Sequence, residues 1–109
     1  MQLHHLRVFR EVAKELSFTR AAKNLHCAQS TVTGHIKQLE YALGADLFHR
    51  RGRCQIELTA AGALLLDRAE TILAVVDTTS REIRALHGDQ DTRRRLRPLA
   101  DAQSKARAS

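Results

Sequence analysis

Aromatic side chains are scarce in these 109 residues: Phe9, Phe18, Tyr41 and Phe48 make up the whole set, and tryptophan is absent. Modules that hold RNA or single-stranded nucleic acid offer several exposed rings on which bases stack, so the shortage argues against that class. No stretch approaches the ~20 consecutive apolar residues of a membrane span. The opening Met1-Gln2-Leu3-His4-His5 lacks the charged-then-apolar order of a signal peptide, and a cytoplasmic protein is expected. Two cysteines, Cys27 and Cys54, are too few for a disulfide framework. In a reducing compartment they read as free thiols in small packing positions. P-loop, dinucleotide fingerprint and nucleophile elbow are all missing, and a chain this short leaves little scaffold around a catalytic cleft. Neither an enzyme nor a cofactor is expected.

What is present is positive charge. Eighteen Lys and Arg against twelve Asp and Glu leave a formal charge of +6, while an apolar share of 43% is ordinary for one small globular domain. The excess sits at the two ends, with residues 1–58 and 89–109 basic and residues 59–88 slightly acidic. A basic chain without stacking rings points to the phosphates of a duplex, although charge alone also serves solubility.

Apolar residues at Leu3, Leu6, Phe9, Val12 or Ala13, and Leu16 recur in steps of three and four, the period of a first amphipathic helix. Ser17 or Thr19 can cap a short second helix carrying Phe18, Ala21, Ala22 and Leu25. Asn24 to Ala28 is then a turn that reaches only to an adjacent, angled helix. The third helix, Gln29 to Leu43, gathers Val32, Ile36, Leu39 and Leu43 within roughly 40° of one another at 100° per residue. Its opposite side carries Ser30, Thr33, Gly34, Lys37 and Tyr41. Small hydroxyls and a single cation let a helix backbone approach another surface closely, unlike the long alternating charges of a solvated face. Gly44 ends this helix. Leu47 to Arg50 and Gln55 to Leu58 read as two short strands joined by Arg51-Gly52-Arg53-Cys54. Three helices followed by a hairpin with Arg50, Arg51 and Arg53 near its tip have the layout of a winged helix-turn-helix, a mainly α fold.

Thr59 is a suitable cap for a last helix running to about His87. Leu65, Ala69, Ile72, Val76, Thr79, Ile83 and Leu86 are spaced alternately four and three apart, a heptad-like seam on a helix ~42 Å long. A domain of residues 1–58 is too small to bury all of it, so a homodimer through a linker helix of residues 59–87 is expected. The competing reading folds that helix back as a fourth core helix. Residues 88–109 lack an apolar period and read as a basic, disordered tail in which Arg93 to Arg97 add at most non-specific phosphate attraction.

Taken together, Ser17-Phe18-Thr19-Arg20-Ala21-Ala22, Leu25, Gln29-Ser30-Thr31-Val32-Thr33, Ile36, Leu39-Glu40, Leu43-Gly44, Leu47-Phe48, Arg50, Arg53, Leu58-Thr59 and Ala61-Gly62 resemble the DNA-binding domain of LysR-type transcriptional regulators. The resemblance covers about residues 1–87. It implies a winged helix-turn-helix, a linker helix pairing antiparallel in a dimer, and binding to interrupted palindromes in the promoters of bacterial double-stranded DNA, hence a nucleoid-associated protein. It also implies that Gln29, Ser30, Thr31 and Thr33 meet base edges and phosphates, that Arg53 reaches the minor groove, and that Thr19 to Ala22, with Arg20, lie on the supporting helix. With Gly34, Lys37, Arg50 and Arg51 these form the expected DNA surface, and Leu65, Ala69, Ile72, Val76, Ile83 and Leu86 the dimer seam. The family commonly has Ser at Thr33 and a long polar side chain at Gly34, whose glycine costs a helix ~1 kcal/mol relative to alanine. Residues 88–109 contain nothing like the first strand of the family's effector-binding domain, so no small-molecule effector is expected within this sequence.

Two other readings compete. The long helix could capture a full-length relative into an inactive heterodimer, making DNA contact incidental. Alternatively His26, Cys27, His35, His49 and Cys54 could hold a metal, but their spacings fit no standard zinc pattern; His4 and His5 read as an exposed pair at a helix start, and His35 as a flank residue.

Overall fold

A computed structural model describes residues 1–53 and 55–95, the last seven as backbone only. The readings placed on Cys54 and on residues 96–109 lie outside the described residues. The elements are α1 (Leu3–Glu15), α2 (Phe18–Asn24), α3 (Gln29–Leu43), β1 (Phe48–Arg51), β2 (Gln55–Leu58) and α4 (Ala60–Arg95). The chain divides into two compact units, one ending at Ala74 and the other beginning at Val75.

In the first unit each helix ends for a local reason. Leu16 takes a left-handed conformation (φ 51°) and closes α1 by donating its N–H to Val12. Ser17, the residue that follows, is extended and caps α2 by accepting the Arg20 N–H at 3.1 Å, so Ser17 rather than Thr19 is the cap. Gly44 (φ 69°) closes α3 with its N–H directed to Glu40 and Tyr41, in the left-handed geometry glycine adopts without strain. Thr59 does the same work at the start of α4. Its hydroxyl donates to the Asp46 carbonyl and accepts the Gly62 N–H at 3.0 Å, tying the helix to the loop ahead of β1.

The core is made by Leu6, Val8, Phe9, Val12, Ala21, Ala22, Val32, Ile36 and Leu39 from the three helices, with Leu47, Phe48 and Ile56 from the hairpin. Fully burying a side chain of this kind contributes roughly 1.5–3 kcal/mol. Phe48 fastens the two-stranded antiparallel sheet to the helices: its ring centroid lies 5.4 Å from that of Phe9 and 5.8 Å from that of Phe18. The register pairs Phe48 with Leu58, His49 with Glu57, Arg50 with Ile56 and Arg51 with Gln55. The first strand thus begins and ends one residue later than the sequence suggests, because Leu47 is spent on the connection. Its N–H donates to Glu40 Oε2 at 2.8 Å and its carbonyl accepts the Thr59 N–H.

Four sequence expectations are corrected in this unit. Ala69 and Leu73 of α4 are fully buried in the core, with Leu65, Leu66 and Ile72 packed against it. The first part of α4 is therefore the fourth core helix: Ala69, expected at a dimer seam, is sealed in its own domain, and Leu65 and Ile72, expected there too, pack partly against it. Leu43 leaves the α3 stripe and is exposed, since the helix ends there. Cys27, expected to pack, is an exposed free thiol in the turn after α2.

The fourth correction concerns His5, which is buried rather than exposed. Its ring stands 5.0 Å from that of His35 on α3, and the His4 ring is 4.9 Å from His35. Nδ1 of His35 is buried with no hydrogen-bond partner among the described residues. Burial lowers the His5 pKa from 6.5, and His35, His4 and the N-terminal amine push in the same direction. The unfolded chain then binds a proton that the folded chain resists. The stability involved is fully present above the unfolded value and is lost as the pH falls below it. The midpoint of thermal unfolding should drop between about pH 7.5 and pH 5.5, and His5→Leu should flatten that dependence. A wild-type midpoint that rises on acidification would contradict the account.

In the second unit α4 continues to Arg95, past the end near His87 that the sequence suggests. A single glycine, Gly88, costs a helix about 1 kcal/mol, too little to end a cooperative ladder. Val75, Ile83 and Leu86 are exposed here, at 58%, 59% and 63%, and Val76 is half-buried.

Candidate nucleic-acid interface

The turn between α2 and α3 brings the two helices together at an angle. His26 adopts a left-handed conformation (φ 56°) in it, and Cys27 donates its N–H to the Ala22 carbonyl at 3.0 Å. Ala28 occupies the cap position of α3 but supplies no side-chain acceptor, so the N–H groups of the first turn have no capping side chain. Gln29, Ser30, Thr31 and Lys37 are exposed, and Thr33 and Gly34 partly so, while Val32, Ile36 and Leu39 are sealed in the core. The inner stripe is thus where the helical period places it, except at Leu43. Tyr41 stands 91% exposed near the end of the same helix.

Two side chains on this surface are pre-set by partners on α2 and α1. Thr19 Oγ1 donates to Gln29 Oε1 at 3.2 Å, so the supporting helix orients the first side chain of α3 and leaves its NH₂ group free as a donor. Arg20 is turned back: its Nη2 donates to the Glu15 carbonyl at 3.0 Å and its Nε to the Glu15 carboxylate. Asn24 donates to the carboxylates of both Glu11 and Glu15. Exposed ion pairs of this kind contribute little to stability, but they fix where the charge points.

The three wing arginines, alike in sequence, separate in the structure. Arg51 Nη1 lies 2.8 Å from Glu57 Oε2, and His49 Nε2 pairs with the other oxygen of the same carboxylate. The Arg51 hydrogen bond, then that of His49, holds the Glu57 carboxyl below its usual range. Arg50, opposite Ile56, is on the other face of the strand and makes no ion pair among the described residues. It lines a groove of about 220 Å³ between α3 and the wing together with Gln29, Thr33, Lys37, Glu40 and His49. Arg53 is exposed at the turn, where Gly52 (φ 81°) supplies the left-handed step. Among the described residues no group of three or more His, Cys, Asp and Glu is placed to hold a metal ion, and no helix is long and apolar enough to cross a membrane.

The sequence profile of the family described as "Bacterial regulatory helix-turn-helix protein, lysR family" matches residues 3–63. The chain belongs to the LysR family. An HTH-type transcriptional regulator of Bacillus subtilis (strain 168), YusT, is 45% identical over 76% of this chain and 28% of its own length. The regulator encoded in the ibpB-leuC intergenic region of Azotobacter vinelandii is 43% identical over 82% of this chain and 61% of its own. The chain therefore spans less than two thirds of the length of these curated relatives. Among solved structures, the CbnR DNA-binding domain in complex with DNA superposes with a TM-score of 0.75 at 37% identity, covering 80% of this chain and 99% of that one. The BenM DNA-binding domain in complex with catB site 1 DNA gives 0.75 at 34% identity, covering 80% and 96%.

This LysR-type domain is a winged helix with a long helix after it, and its family is one of transcriptional regulators rather than enzymes. Its fold brings Gln29, Ser30, Thr31, Thr33, Gly34 and Lys37 onto the open side of α3, with Thr19 behind Gln29 and Arg50 across the groove. It does not leave all the expected cations free, since Arg20 and Arg51 are paired within the chain. Glu57 was missed as the partner of Arg51 on the wing; its signal in the sequence is an acidic residue on the strand that pairs with the arginine-bearing one.

Proposed function

We propose that this LysR-type domain binds double-stranded DNA in a sequence-specific manner as a homodimer at an interrupted palindrome in a promoter, acting in the bacterial cytoplasm at the nucleoid. The observation that carries the reading is the open side of α3, where small and polar side chains lie beside a cationic wing. On this reading Gln29, Ser30 and Thr33 read base edges in the major groove, Lys37 and Arg50 neutralise phosphates, and Arg53 reaches the minor groove. Support comes from the CbnR and BenM domains, whose structures are DNA complexes.

Selecting bound duplexes from a random pool tests specificity and two-fold geometry together: an inverted repeat should emerge. Affinity should fall steeply as salt rises, because each neutralised phosphate releases condensed counterions. Arg53→Ala should weaken all sequences alike, whereas Gln29→Ala should lose roughly 1–3 kcal/mol of preference at one base position. Binding that is flat from low to high salt would refute the reading. A module that only captures a full-length relative would show mixed species with that relative and no selected repeat.

A further inference from the structure

Lys37 on α3 and Arg50 on β1 face one groove and have no ion-pair partner among the described residues. Of the other lining residues only Glu40 carries an opposite charge, and one of its carboxylate oxygens is already engaged by the Leu47 N–H at 2.8 Å. Arg51, one residue along the same strand, is by contrast held by Glu57 on the opposite face. Two like charges directed into a common groove repel unless an anion lies between them, and besides His49, whose Nε2 is taken by Glu57, the groove's remaining polar groups Gln29 and Thr33 include hydrogen-bond donors suited to oxygen. From this geometry, and resting on the reading of α3 and the wing as a DNA surface, we infer that Lys37 and Arg50 grip one and the same phosphodiester of the DNA backbone, while Arg51 contacts no phosphate.

The phosphate concerned is the one that separates the groove occupied by α3 from the groove approached by the wing. Arg50 offers a planar fork that can donate two parallel hydrogen bonds to its oxygens, and Lys37 adds a compact charge from the opposite wall. A shared phosphate distinguishes this arrangement from two cations that each find their own. It also makes the distance between α3 and the wing part of recognition, since one atom group must satisfy both elements.

The test is a salt titration of duplex binding by the intact chain and by Lys37→Gln, Arg50→Gln, the double variant and Arg51→Gln. All three positions are exposed, and thermal unfolding checks that each variant folds. Losing one phosphate should lower the slope of log affinity against log salt by about 0.9. The inference expects each single variant at the groove to keep most of the wild-type slope, because the remaining cation still neutralises the phosphate, and the double variant to lose about 0.9, with Arg51→Gln keeping the wild-type slope. Additive slopes in the double variant, or a lowered slope for Arg51→Gln, would overturn it. Inorganic phosphate added at matched ionic strength should displace the duplex no better than chloride; better displacement would assign the groove to a free anion and also overturn it. Wild-type binding without salt dependence would instead remove the DNA reading itself, so the two failures are distinguishable.

Discussion

Gly62→Ala is expected to destabilise the domain by about 3 kcal/mol or more, read as a large drop in its unfolding midpoint. A Cβ built at this position would lie 2.2 Å from the Leu47 carbonyl oxygen, 3.1 Å from its carbon and 2.9 Å from a Leu58 methyl carbon. Two of those atoms are backbone, and that backbone is occupied: the Leu47 carbonyl accepts the Thr59 N–H, and the Leu47 N–H is held by Glu40. Relief therefore requires either moving the start of α4 away from the hairpin or breaking the Thr59 cap. Gly34→Ala provides the control. Nothing lies within 4 Å of its Cβ position, so the same substitution in the middle of α3 should stabilise the fold by roughly 0.5–1 kcal/mol. On the proposed reading the added methyl also projects from the DNA-facing side, so Gly34→Ala should pair a higher unfolding midpoint with weaker or altered duplex preference. Denaturant unfolding of the two variants against wild type checks the first part. A Gly62→Ala midpoint equal to wild type would show that the helix start has room to shift.

The contrast between these glycines illustrates what a sequence can convey about this fold. Both stand in helical stretches, and nothing in their neighbours says that one touches a carbonyl and the other touches nothing. Periodicity was more informative for α3, where Val32, Ile36 and Leu39 are buried as the helical wheel places them. Along α4 the same reasoning placed Leu65, Ala69 and Ile72 against a partner helix, whereas the domain's own core covers Ala69 and packs against the other two. A four-three spacing shows which residues share a face; it does not distinguish a partner helix from the domain's own core, and Ala69 and Leu73 meet the core. His5 was misread because its neighbours are thirty residues away on α3. At the wing, strand register decides the outcome: adjacent arginines point to opposite faces, so Arg50 enters the groove while Arg51 pairs with Glu57. The exposed side of α3 was legible because a helical wheel shows which positions lie opposite the buried stripe. The internal partners, Thr19 for Gln29 and Glu15 for Arg20, were not, since each bond joins different helices or a loop-separated pair.

Ile83→Glu combined with Leu86→Glu is expected to convert the proposed dimer to a monomer and to lower affinity for a two-half-site duplex on the order of 100-fold or more, leaving a single half-site unaffected. Within the second unit, Val75, Thr79, Ile83 and Leu86 follow one another by four, four and three residues and so share one side of the helix. The three apolar members are exposed, and a helix segment with an exposed apolar side gains most of its stability from a surface that covers it. A second copy of the same stripe is the simplest cover that also supplies two-fold symmetry for an inverted repeat. Glutamate is a good helix former, so the change acts on the apolar stripe while the helix itself is retained. Leu73→Glu is the informative counterpart. That side chain is fully buried in the first unit, so its replacement should unfold the domain instead of merely separating copies. Sedimentation equilibrium and binding to one- and two-half-site duplexes distinguish the outcomes. If the double variant remains dimeric with undiminished affinity, two-fold pairing must come from some other surface, and the stripe beginning at Val75 would have to be covered by something else.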